Sequence, residues 1–122
     1  MKLDFDDAPH NAITSYRGGA VFINGRAFEA SLIVTPTQIV DDWPAESVDS
    51  LSPAAFEMIA ALEPEVVLLG TGQRLQFPAP ALSRRLLERG IGLECMDTAA
   101  ACRSYCVLAA EGRRVAAALI IP

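Results

Sequence analysis

Three short apolar runs separated by helix signals constrain this chain more than any other feature. Val66-Val67-Leu68-Leu69, Leu93-Glu94-Cys95-Met96 and Val115 to Ile121 are too short for packed helices. Runs of this length suit strands buried on both faces. The segments between them carry helix boundaries. Pro80 to Arg89 reads as a helix ending at Gly90, with Leu86 and Ile91 placed for the apolar contact of a Schellman cap. Asp97 or Thr98 caps a further helix, Ala99 to about Ala110, which Gly112 ends. Upstream, Ser52-Pro53 is an N-cap followed by proline at the first helical position, and Leu51 with Phe56 forms a hydrophobic staple. Phe56, Ile59 and Ala60 mark the buried face of that helix, and Pro64 stops it. Strand, helix, strand over residues 66–96 predicts a parallel βαβ unit with a right-handed crossover.

The first third reads as β. Ala20 to Ile23 and Arg26 to Val34 flank Asn24-Gly25, a dipeptide that tolerates the positive φ angles of a type I′ hairpin turn. Thr35-Pro36 closes the second of these strands. A short extended piece at Gln38 to Val40 and a loop at Asp41-Asp42-Trp43-Pro44 follow. The predicted architecture is α/β in three layers: a central mixed sheet, an N-terminal β-hairpin and three helices.

Charge and size narrow the function classes. The 122 residues fit one domain, 1–122, whose 52% hydrophobic content fills a core without disulfides or metal. Ten basic against fifteen acidic side chains, net −5, disfavour nucleic acid and anionic membrane surfaces as partners. No apolar run approaches the roughly 18–20 residues that span a bilayer, so direct membrane insertion is not expected. The first residues, Met1 to Asp7, are acidic where a signal or transit peptide is basic and apolar. Three cysteines, Cys95, Cys102 and Cys106, point to a reducing compartment, and the expected location is the cytoplasm.

The candidate site follows from the parallel unit, because parallel strands bind ligands beyond their carboxyl ends. Gly70-Thr71-Gly72 after one strand and Asp97-Thr98 after the next should meet there, beside the first turn of the third helix. The Thr71 and Thr98 hydroxyls and nearby N–H groups are the expected polar contacts. Against that, the segment lacks the third glycine of a dinucleotide fingerprint and the Gly-Lys-Ser/Thr of a P-loop, so it also reads as a simple tight turn. Cys102 and Cys106 lie four apart on one helix, yet the spacing carries no Cys-x-x-Cys pair and His10 is the only imidazole. All three cysteines are expected as small core residues, and no metal or cofactor is expected. Adjacent carboxylates at Asp6-Asp7 and Asp41-Asp42 look like solvated loop charges. No nucleophile has a base at hand, which argues against an enzyme.

The run Val66 to Gly72, then Gly90-Ile91-Gly92-Leu93-Glu94-Cys95-Met96-Asp97-Thr98 through Leu108, then Glu111 to Leu119, resembles the Mth-like domain family. Ile23-Asn24-Gly25, Thr35-Pro36 and Trp43-Pro44 extend the resemblance over nearly the whole chain. That family includes a mitochondrial complex I assembly factor and many uncharacterised bacterial proteins. The resemblance implies a three-layer α/β domain with a mixed sheet and no established catalytic residues. It further implies a non-catalytic protein-interaction module with another protein as partner, aiding assembly of a respiratory or membrane complex. The alternative is a small-molecule-binding protein or an enzyme acting at the Gly70-Thr71-Gly72 and Asp97-Thr98 edge. One departure stands out: Ser104-Tyr105-Cys106 replaces a Thr-Tyr-Asn run, which removes the amide from that helix position.

Overall fold

The computed structural model describes residues 10–122; the acidic Met1 to Asp7 stretch lies outside the described residues. Two sheets carry the fold. Strands β1 (Ile13–Arg17), β2 (Ala20–Ile23) and β3 (Arg26–Phe28) form an antiparallel meander. Strands β4 (Leu32–Val34), β5 (Ile39–Val40), β6 (Val66–Gly70), β7 (Gly92–Met96) and β8 (Val115–Leu119) form a mixed sheet in the order β5-β4-β8-β6-β7. Helices α1 (Pro53–Ala60), α2 (Pro80–Leu87) and α3 (Thr98–Ala110) complete it.

Local chemistry places the elements. Asn24 and Gly25 both hold positive φ, 55° and 83°, as a type I′ turn demands, and Ile23 faces Arg26 across it. The Ser52 hydroxyl accepts the Ala55 N–H at 3.2 Å, with Pro53 in the first turn of α1. At the end of α2 the Ile91 N–H reaches the Leu86 carbonyl and the Gly90 N–H reaches Leu87, the paired bonds of a Schellman motif. The Trp43 indole N–H donates to the Ala55 carbonyl at 3.0 Å, which fixes the loop against α1.

The mixed sheet separates two cores. On β8, Val115, Ala117 and Leu119 face α3 and the meander, while Ala116, Ala118 and, just past the strand, Ile120 face α1 and α2. On β6, Val66 and Leu68 share the first side and Val67 and Leu69 the second. That is the period of two expected of a strand covered on both faces. The strand pair β6 and β7 is parallel, as the βαβ pattern predicts.

Three expectations need correction. The strand predicted over Arg26 to Val34 breaks at residues 29–31, so β3 closes the meander and β4 opens the mixed sheet. The apolar pattern runs straight through that break, and only tertiary pairing divides it. The predicted hairpin is also larger than expected, because β1 pairs with β2. Finally, β7 is an edge strand with exposed Gly92 and Glu94, not a strand buried on both faces. No helix among the described residues is long and apolar enough to cross a membrane.

Candidate functional site

The carboxyl ends of β6 and β7 bring all five candidate residues together. Asp97 is the N-cap of α3, its Oδ1 accepting the Ala100 N–H at 2.8 Å. Thr98 therefore occupies the first helical position, where its side chain is fully buried. Its hydroxyl donates to the Ile120 carbonyl at 2.8 Å and accepts the Gly72 N–H at 2.9 Å. The Thr98 N–H in turn donates to the Gly72 carbonyl at 2.9 Å. One residue thus ties α3, the chain beyond β8 and the loop after β6 into a single joint.

Gly70 makes that joint possible. A Cβ at this position would lie 3.0 Å from the Thr98 Cα and 3.1 Å from a Leu119 methyl. Only glycine lets α3 start this close to the strand. Thr71 is buried as well. Its single hydroxyl proton sits between the Arg74 and Met96 carbonyls, at 2.7 and 3.1 Å, and its oxygen accepts the Gln76 N–H at 3.1 Å. Thr71 organises the loop from 71 to 76 from inside.

The hydroxyls expected to face a ligand are thus hydrogen-bonded to this chain's own backbone. Two N–H groups of the first turn of α3, those of Thr98 and Ala100, are also taken. Asp97 further opposes an anion at the helix end. What the edge presents outward is an open cleft of about 440 Å³ beside Thr71 and Gly72, bordered by Glu46, Gln73, Arg74 and Gln76. Sequence reasoning missed these polar residues. For Gln73, Arg74 and Gln76 the signal was a stretch with no assigned element, residues 73–79, directly after the glycine turn.

The thiols divide by burial. Cys102 is in the core on α3, and desolvation with the neighbouring Cys106 pushes its pKa up to about 12. Cys95 and Cys106 are only half-buried, contrary to the expectation of three core thiols, because β7 is an edge and α3 faces solvent on one side. Burial raises the Cys95 pKa as well. The Cys106 thiol donates to the Ile13 carbonyl at 3.1 Å, occupying the position that the asparagine-to-cysteine departure had left in question. Tyr105, fully buried, donates to the Asn11 carbonyl at 2.6 Å and joins α3 to the chain entering β1. Among the described residues no three His, Cys, Asp or Glu side chains converge as metal ligands. Arg85 of α2 and Arg89 just beyond it pair with α1: Glu57 receives Arg89 at 2.7 Å and Arg85 at 3.2 Å.

Residues 13–120 match the model of a family described as a protein of unknown function, DUF498/DUF598. The chain is 34% identical over 112 residues to NADH dehydrogenase [ubiquinone] 1 alpha subcomplex assembly factor 3 of Bos taurus. That alignment takes in 90% of this chain and 60% of the bovine protein, so the chain spans well under the full length of that relative. A crystal structure of a Bordetella parapertussis protein superposes with a TM-score of 0.88 at 37% identity, over 95% of this chain and 99% of that one. The solution structure of a Bordetella pertussis Mth938-like domain gives 0.83 at 32% identity, over 99% and 92% of the two chains.

Proposed function

The chain belongs to the DUF498/DUF598 family, and on that footing we propose that it is a protein-interaction module, without chemistry of its own, that aids assembly of a respiratory complex. The observation that carries the reading is the likeness to a complex I assembly factor across nine-tenths of this chain. The geometry of the candidate edge is in keeping with it. Thr71 and Thr98 hydrogen-bond to backbone rather than to a base, so neither is set up as an activated nucleophile. On this reading Gly70, Thr71, Gly72, Asp97 and Thr98 serve binding indirectly, by holding the loop after β6 in one shape. We place the protein in the cytoplasm, with a protein rather than a nucleic acid as partner; three free thiols and a net charge of −5 support that choice. Affinity purification of the tagged chain from its native host tests the proposal. Reproducible recovery of respiratory-complex subunits is expected, and recovery of no reproducible partner overturns it.

A second reading, a small-molecule site, is favoured by one observation, the 440 Å³ cleft beside Thr71 and Gly72. A thermal-shift screen separates the two. A compound that raises the melting temperature of the wild-type chain but not of Arg74→Ala supports the ligand reading.

A further inference from the structure

We propose that the free edge of β7 accepts an extended segment of a partner protein as a sixth strand, one that alternates apolar and basic residues. The inference rests on the protein-binding reading above and names the surface and chemistry that serve it.

Two independent observations meet at this edge. The first is the backbone. The Gly92 N–H donates to Glu65, next to β6, and the Met96 carbonyl accepts the Thr71 N–H on the same side. With a period of two, the N–H and C=O groups of Leu93 and Cys95 therefore point away from β6. No other described residue pairs with them. Such a row is a template for an added strand. Most of the usual guards are missing here: β7 holds no proline, lysine or bulge, Glu94 is its one charge, and its five residues exceed the two of β5 at the opposite edge.

The second observation is an apolar groove along the same strand. Phe77 is 71% exposed and Leu87 60%, unusual values for side chains of that size. They line an opening of about 450 Å³ together with Pro80, Arg84, Leu93 and Cys95. Leu93 and Cys95 project toward α2, so apolar side chains of an added strand would continue this groove. An apolar patch bordering an unpaired edge marks an interaction surface more than either feature alone.

Charge selects the occupant. Glu94 stands exposed on the other face of β7, midway between the two outward-facing residues. A second copy pairing antiparallel about this point would set Glu94 directly against Glu94, where like charges destabilise a sheet. A basic residue of a different protein at that position is favoured instead, as the net charge of −5 also favours. Loop 71–79 holds Phe77 beside the strand, and Thr71 anchors that loop, which connects this surface to the candidate edge.

The test uses the chain with a capped octapeptide alternating valine and lysine, and its valine–glutamate counterpart as control. Binding is read by amide chemical shifts and hydrogen exchange. The lysine peptide should protect the Leu93 and Cys95 amides and bind about tenfold tighter than the glutamate peptide. Glu94→Arg should reverse that order. Cys95→Pro removes an outward N–H that no internal bond uses, so it should abolish binding and leave the fold intact. Equal binding of both peptides, protection at some other surface, or self-association through β7 in sedimentation equilibrium overturns the inference. In the purification described above, capture of a complex by wild type and equally by Cys95→Pro overturns the edge while the protein-binding reading stands.

Discussion

The two ends of the parallel strand pair β6 and β8 are fastened in different ways. At the carboxyl end, buried neutral groups close the joint: the Thr98 hydroxyl bridges Ile120 and Gly72, and Gly70 admits α3. At the amino end, exposed charge does it. Glu65 accepts the Arg114 N–H at 2.9 Å and pairs with the Arg113 guanidinium at 3.2 Å, both partners over a third exposed. The difference teaches where sequence changes are felt. A buried hydroxyl leaves two backbone groups stranded when it goes, whereas water replaces a surface ion pair at little cost.

Thr98→Val breaks the comparison most sharply. It keeps the shape but strands the Gly72 N–H and the Ile120 carbonyl, and should cost about 2–4 kcal/mol in urea unfolding. A loss no larger than that of a surface change would mean that water enters the joint. Gly70→Ala comes next. Its Cβ meets backbone at 3.0 Å, so α3 must shift, at about 1–3 kcal/mol on the same measurement. Thr71→Val should cost less, about 1–2 kcal/mol, because the groups it releases are partly solvated. Its stronger mark should be faster amide exchange at Gln76.

The smallest effect belongs to the amino end. The Arg114 N–H bond, followed by the Arg113 pair, holds the Glu65 carboxyl below its ordinary value of 4.5. A carboxylate lowered on folding contributes stability that is present above the unfolded value and is lost as pH falls through the folded one. The difference between wild type and Glu65→Gln should therefore be small near neutrality, shrink below pH 4.5 and weaken in high salt. Urea midpoints at several pH values and salt concentrations check it. A difference that survives both acid and salt would show that Glu65 acts by packing.

Much of the fold was legible because its signals are local. Ser52-Pro53, the Leu86 and Ile91 contact around Gly90, and Asn24-Gly25 each specify a boundary by their own backbone chemistry. The break at residues 29–31 was hidden, since a chain can change sheets without changing its hydrophobic pattern. The first strand was readable in part: Gly18-Gly19 is a hairpin dipeptide, between Ile13–Arg17 and Ala20–Ile23. The edge position of β7 was legible only in Glu94, the one charge within Leu93-Glu94-Cys95-Met96, because sheet order is set by distant segments. At the candidate site the five residues could be brought together from the topology. Which of the two side chains caps α3 and which turns inward could not, because Asp97 and Thr98 are both good caps. The decision falls to Ile120 and Gly72, bonded to Thr98 from 22 and 26 residues away.

The strand order has a consequence for how the molecule is made. β8 lies between β4 and β6, yet it is the last strand of the mixed sheet to be synthesised. Until it emerges, β4 with β5 and β6 with β7 are separate fragments, each with an apolar edge that only β8 can cover. The meander can form early on the ribosome, since its contacts are between neighbours in the chain. The mixed sheet must wait and then close in one step around Val115 to Leu119. Nascent chains stalled before Val115 should therefore depend on chaperones for as long as the translational pause lasts.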